Sequence, residues 1–177
     1  MNKIAASELI LNPDGSVYHL NLKPENIAHT IIFVGDQNRV PKITKYFDSI
    51  EFETQKREFR TITGVYKGIR MSVISTGIGP DNIDIVINEL DALVNIDLET
   101  RTIKKEHTQL NIVRIGTSGS LQKDIPVDSF VLAKYGLGFD GSTALRRTWK
   151  RVFFVASTNV AVLSPRLRAQ IVQTFVS

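Results

Sequence analysis

HTIIFVGDQNRVPKITKYFDSI, residues 29–50, changes its periodicity halfway along. The first half is a short apolar run, Ile31 to Val34, closed by Gly35 and Asp36. The second half spaces Val40, Ile43 and Phe47 at helical intervals, with Pro41 near the start, where the missing N–H of proline removes no helical hydrogen bond. This order predicts a strand, a tight turn and a helix over 37–50.

The same grammar recurs downstream. Residues 51–77, EFETQKREFRTITGVYKGIRMSVISTG, read as extended segments with TGVYKG (63–68) as a hairpin bend. IRMSVISTGIG (69–79) then runs into a second glycine-rich turn. A helix follows, because Ile83, Val86, Ile87, Leu90 and Val94 share one face, while Asp84, Asn88, Asp91 and Asn95 share another. Asp81 stands where an N-cap or first-turn acid belongs. The charged stretch IDLETRTIKKEHTQ (96–109) lacks apolar periodicity and reads as an exposed extension. LNIVRIG (110–116) returns to the sheet, and DSFVLAKYG (128–136) adds an extended segment. Alternating strands and helices predict an α/β fold, a single domain with a central mixed β-sheet flanked by helices.

Composition narrows the function. The chain has 177 residues, 42% hydrophobic and 23% charged, which suits one globular domain with a proper core. With no cysteine, thiolate catalysis and cysteine metal sites are excluded, and His19, His29 and His107 lack metal-ligand spacing. The N-terminus carries Glu8 and Asp14 where a signal peptide needs an apolar core, and no apolar run approaches membrane-spanning length. A cytoplasmic protein without membrane contact is expected. The net charge of +4 is unevenly spread: all 18 acidic residues precede Gly141, and residues 142–177 hold basic residues only. That segment has one Trp and no interleaved aromatic pattern, so no nucleic-acid partner is expected.

Three glycine turns sit where strands end: VGDQNR (34–39), STGIGPD (75–81) and RIGTSGS (114–120). Each alone is ordinary turn chemistry. Together with Arg39 and Arg114 they describe an oxyanion site, because glycines allow close approach, turn N–H groups attract anions, and arginine grips phosphate oxygens in pairs. Arg114, read as closing an apolar strand, is costly to bury without an anionic partner. No G-x-x-x-x-G-K-[ST] loop is present; Asn82 replaces the third glycine of a dinucleotide fingerprint, and no G-x-S-x-G elbow appears.

These motifs, in this order, resemble a known family. VGDQNRV, REF (57–59), STGIG with NEL (88–90) in the next helix, and RIGTSGSLQKDIPVDSFVL (114–132) look like the nucleoside phosphorylases. The likeness is closest to the uridine phosphorylase branch, whose N-terminal segment is matched by HLNL (19–22). The resemblance covers about residues 17–141 and implies phosphorolysis of a nucleoside, uridine before others, to free base and ribose 1-phosphate. It implies inorganic phosphate as co-substrate, no cofactor, and a homo-oligomer built from dimers. By the same resemblance Gly35, Arg39, Arg57, Arg114 and Thr117 hold phosphate, with Arg114 and Thr117 central to catalysis. His19 reaches a neighbouring subunit's ribose, Arg57 its phosphate, and Ser118 and Gly119 line the base pocket. From the residues alone, His19 reads equally as a surface or packing histidine. Lys56, Arg57 and Arg60 read equally as solvated charges on an edge strand, and Glu58 has no assigned role.

Two departures bear on this reading. Asp81, Asn82 and Asp84 follow the second glycine turn where the family has small residues, so the carboxylates are expected to face solvent or cap the helix. Residues 1–141 match the N-terminal part of the family fold, whereas 142–177 form an atypical basic tail, with an apolar run VFFVAS (152–157) and a short helix predicted from Ser164-Pro165. The tail offers no carboxylate for ribose hydroxyls and no base-reading motif. The alternative is therefore a catalytically incomplete fragment that keeps a phosphate-binding half-site, with weak phosphate binding and slow or absent turnover.

Overall fold

The apolar run at 31–34 lies in strand β1, Thr30–Val34, where Ile31, Phe33 and Val34 are buried. In this computed structural model residues 3–119, 123–133 and 152–158 are described. The chain divides into two compact units, Met1–Leu110 and Asn111–Ser177.

In the first unit a 3₁₀ turn, Gln37–Arg39, leads into α1, Val40–Thr44, with Val40 and Thr44 buried. The helix is shorter than the 37–50 predicted. The sheet ends it: Asp48 N donates to Val65 O at 2.7 Å, and Ser49 already opens strand β2, Ser49–Lys56. Strand β3, Phe59–Tyr66, pairs antiparallel with β2 and with β4, Ile69–Ser75, and β4 runs parallel to β1. The order β2-β3-β4-β1 makes a mixed sheet.

Two glycines have a definite task here. A bulge between Ile50 and Phe52 lies against Gly64, where an added Cβ would press on Phe47 Cδ2 at 2.8 Å and on the Ser49 carbonyl. Only glycine lets β2 close over the end of α1. Lys67 and Gly68, both at positive φ, make the two-residue bend between β3 and β4 that TGVYKG predicts.

Helix α2, Pro80–Asn95, appears where expected, but its buried stripe is Val86, Leu90 and Leu93 with Ala92. Ile83, Ile87 and Val94, which share a face with Val86 and Leu90 by spacing, are only half-buried. Apolar residues cover more than one face of this helix, so spacing alone cannot fix which face turns inward. Full burial of Leu90 and Leu93 contributes roughly 1.5–3 kcal/mol each. The polar face behaves as read: Asn88 Nδ2 donates to Asp84 Oδ2 at 3.2 Å and Asn95 Nδ2 to Asp91 Oδ1 at 2.7 Å, both one turn apart.

The stretch 96–109 is not a bare extension. Ile96–Asp97 (β5) and Thr102–Ile103 (β6) form a small antiparallel hairpin. Asp97 Oδ1 accepts the N–H groups of Glu99 and Thr100 at 3.0 and 2.9 Å, and the Thr100 N–H holds the Asp97 carboxyl below its ordinary range. The N-terminal arm docks on this hairpin, with Ile4 N donating to Arg101 O at 2.8 Å.

In the second unit, too, the strands run in both directions. Strand β7, Asn111–Ser118, pairs parallel with β9, Val152–Thr158, and β8, Phe130–Ala133, pairs antiparallel with β9 on its other side. The VFFVAS run of the basic segment is thus the middle strand of this unit. The helix predicted from Ser164-Pro165 and the residues 134–136 of the last extended segment lie outside the described residues. Parallel and antiparallel pairs occur together in the seven-stranded sheet, as the α/β reading with a central mixed sheet expects. Among the described residues no helix is long and apolar enough to cross a membrane.

Candidate active site

In the first unit the strand directions bring three connections to one sheet edge. Because β1 and β4 are parallel and β3 opposes both neighbours, the turn after β1, the β2–β3 turn and the loop after β4 all leave from the same side. This is the carboxyl edge of the parallel strands, where α/β sheets place ligands. Gly35, Arg39 and Arg57 are on these connections.

Hydrogen bonds tie the connections together. Thr76 N donates to Val34 O at 2.8 Å, closing the end of β4 on the end of β1. Gln55 Nε2 donates to Gln37 Oε1 at 2.8 Å, linking the β2–β3 turn to the turn after Gly35. Ser75 Oγ donates to Glu58 O at 2.6 Å and accepts from Arg60 N at 2.7 Å. Asp36 caps the 3₁₀ turn through Asn38 N at 2.9 Å, which sets Arg39, half-buried, at the end of that turn.

Of the three cations in QKREFR, the structure singles out Arg57. Lys56 Nζ donates to Tyr18 O and to Asn12 Oδ1 at 3.0 Å and lies 4.3 Å from the centre of the Tyr18 ring. Arg60 pairs with Glu53 at 2.6 Å. Arg57 is exposed at the first position of a two-residue turn and takes φ +56, a conformation normally left to glycine. Non-glycine residues held there cost roughly 1–3 kcal/mol and cluster at functional sites.

The loop after β4 packs against the same turn. Gly77 has φ +68, and an added Cβ would lie 2.5 Å from Asn82 Nδ2 and 2.9 Å from Glu58 Cγ. Glu58, to which the motif gives no role, therefore braces this loop. Asp81 is exposed in the first turn of α2, Asn82 Nδ2 donates to Ile78 O at 3.2 Å, and the cap position itself is Gly79.

His19 sits in a tightly built arm. Val17, Leu20 and Leu22 are fully buried, and Asn21 takes φ +54. The His19 ring stacks edge-on with Tyr18 and faces Phe59, the first residue of β3, at 6.4 Å between centroids. Glu89 of α2 holds it: Oε1 lies 2.7 Å from His19 Nδ1 and accepts His19 N at 2.8 Å, while Oε2 accepts Leu20 N at 2.8 Å. Glu89 falls within the NEL motif, yet the sequence alone gives it no task. The available signal was a carboxylate beside the buried Val86–Leu90 stripe, which demands partners.

The second unit carries Arg114, Thr117, Ser118 and Gly119 in the order read. The strand, however, runs through to Ser118, so Arg114 is the fourth of eight strand residues and not the last. Continuous parallel pairing from Ile112↔Val152 to Ser118↔Thr158 keeps Gly116 and Thr117 extended. Arg114 is half-buried and Thr117 exposed. Among the described residues no three His, Asp or Glu side chains are grouped as metal ligands.

A mixed sheet flanked by a helix, with Gly35, Arg39 and Arg57 on connections at one edge, defines an α/β protein. The chain belongs to the phosphorylase superfamily, whose family model matches residues 29–176 and so runs through both units. It is 32% identical to a uridine phosphorylase of Thermococcus kodakarensis over 92% of this chain and 52% of that protein. With a uridine phosphorylase of Treponema pallidum it shares 34% identity over 71% of this chain and 43% of the relative. Among solved structures, a Trypanosoma brucei nucleoside phosphorylase described as showing uridine phosphorylase activity superposes with a TM-score of 0.71 at 36% identity, over 80% of this chain and 50% of that one. The chain spans about half the length of the curated relatives it matches.

Proposed function

We propose that this chain acts in the phosphorolysis of a nucleoside, with uridine as the favoured substrate, releasing free base and ribose 1-phosphate. The observation that carries the reading is the Gly35–Arg39 turn at the carboxyl edge of the parallel strands β1 and β4, with the strained Arg57 turn and His19 presented by the same chain for a neighbouring subunit. The uridine phosphorylases among its relatives support the choice of substrate.

In this reading phosphate is bound by the Gly35 backbone, Arg39, Arg114 and Thr117, with Arg57 and His19 serving a neighbouring subunit of a dimer. Ser118 and Gly119 line the base. The ribosyl group passes through an oxocarbenium-like state, so the main task is to hold a phosphate dianion beneath C1′, where its attraction grows as positive charge develops. No covalent nucleophile and no cofactor take part. The protein works in the cytoplasm as a homo-oligomer.

The test is incubation with uridine and inorganic phosphate, followed by assay of uracil and ribose 1-phosphate, together with calorimetric titration of phosphate alone. Phosphate binding and uracil release that depends on phosphate support the reading. Uracil release at an unchanged rate without phosphate, or no phosphate binding, defeats it.

A further inference from the structure

We infer that Glu89 is a positioning residue that fixes the tautomer of His19, keeping Nδ1–H toward its own carboxylate and presenting Nε2 as a hydrogen-bond acceptor. The inference rests on the proposed function only where it names the ligand group: an acceptor at Nε2 suits a hydroxyl donor, here the sugar 5′-hydroxyl.

The geometry leaves the carboxylate no other arrangement. Glu89 Oε1 meets His19 Nδ1 at 2.7 Å and His19 N at 2.8 Å, and Oε2 meets His19 N at 3.0 Å and Leu20 N at 2.8 Å. The two backbone groups can only donate, so the carboxylate is oriented before the ring is considered. An ionised carboxylate accepts only, and Nδ1 at that distance must therefore carry the proton. A neutral ring with a proton on Nδ1 has a lone pair on Nε2. The Glu89 side chain is 12% exposed and that of His19 27% exposed, so the ring is held at Nδ1 by a largely buried carboxylate while the histidine side chain still reaches solvent. Phe59 and Tyr18 hold the ring plane by edge contacts. A purely structural Glu89 would need only the two backbone bonds.

Glu89→Gln separates the two roles. The amide has one acceptor oxygen and one NH₂ group. With the oxygen on the Leu20 N–H, the NH₂ faces Nδ1 and favours a proton on Nε2, reversing the tautomer. Protein labelled with ¹⁵N-histidine, studied by NMR at pH 8, gives the His19 signal by its loss in His19→Ala. The expected result is a neutral Nδ1–H ring in the wild type and a shift toward Nε2–H in Glu89→Gln, with circular dichroism confirming the fold. An Nε2–H or doubly protonated ring in the wild type overturns the proposal, whatever the variant does, and so does an unchanged tautomer in a folded Glu89→Gln.

A kinetic arm tests the ligand. The preference for uridine over 5′-deoxyuridine, measured as kcat/KM, should fall on the order of ten-fold in Glu89→Gln, one hydrogen bond's worth. The expected tautomers without any 5′-hydroxyl preference in the wild type would uphold the clamp and sink the functional reading of His19.

Discussion

Gln55 Nε2 and Gln37 Oε1, 2.8 Å apart, join the turn that carries Arg57 to the turn that carries Gly35 and Arg39. Gln55 also lies 3.5 Å from the Arg57 carbonyl, so one amide spans both connections at the exposed sheet edge. An exposed neutral hydrogen bond adds little to stability. Gln55→Leu should therefore leave the unfolding midpoint almost unchanged, within about 0.5 kcal/mol. Its effect should appear as a several-fold weaker phosphate affinity, read by calorimetry. Unchanged phosphate affinity would show that the two turns are positioned independently.

Arg114 lies in the middle of β7 and is half-buried. If it grips phosphate, Arg114→Ala should abolish measurable phosphate or sulfate binding while the cooperative unfolding transition persists. Arg39→Ala should do the same, since either loss removes one fork from the anion. Calorimetric titration of each variant decides, and undiminished affinity in Arg114→Ala would remove that residue from the site.

Gly77 and Gly68 make a controlled pair, because both have positive φ but only Gly77 has neighbours where a Cβ would go. Gly68→Ala should lose only backbone strain, about 1 kcal/mol. Gly77→Ala adds a clash with Asn82 and Glu58 and should lose about 2–3 kcal/mol. Urea midpoints of the two variants give the comparison; equal losses would mean that Asn82 and Glu58 move aside freely.

What the sequence disclosed follows from how local each signal is. The strand at 30–34 and the bend at Lys67-Gly68 were legible because a contiguous apolar run and a glycine turn act over a few residues. The length of α1 was not, since Val65 and Gly64, far along the chain, decide where Phe47 packs and where β2 starts. The β5–β6 hairpin escaped because its strands have two residues each and its turn is built by Asp97, without glycine or proline. In the site, Arg57 was named by motif, but its strained backbone and the engagement of Lys56 and Arg60 were invisible. Glu89 was missed because its partners are backbone N–H groups some 70 positions away.

Thr61 is fully buried in β3, and among the described residues its Oγ1 is the buried side-chain polar atom without a hydrogen-bond partner. A buried unsatisfied hydroxyl costs roughly 1–3 kcal/mol, and valine has the same shape and a higher strand preference. Thr61→Val should raise stability by about 1 kcal/mol, seen as a higher unfolding midpoint in urea. A lower midpoint would mean that a bound water or another group satisfies the hydroxyl.

A site shared between subunits has a consequence that no single variant can imitate. If His19 serves a neighbour while Arg114 serves its own subunit, His19→Ala and Arg114→Ala damage complementary halves of different sites. Each variant alone should be nearly inactive. In a mixed dimer, one site combines an intact Arg114 with the partner's intact His19, and the other site carries both defects. Random reassociation makes about half of all dimers mixed, so roughly a quarter of all sites should be restored. Mixing the two inactive variants, dissociating and reassociating them, and assaying phosphate-dependent uracil release should therefore recover roughly a quarter of wild-type activity. If His19 serves its own subunit, the same experiment gives mixed dimers in which every site has one defect, and no activity returns. Light scattering that finds a monomer at assay concentrations would also exclude the shared site, without the mixture.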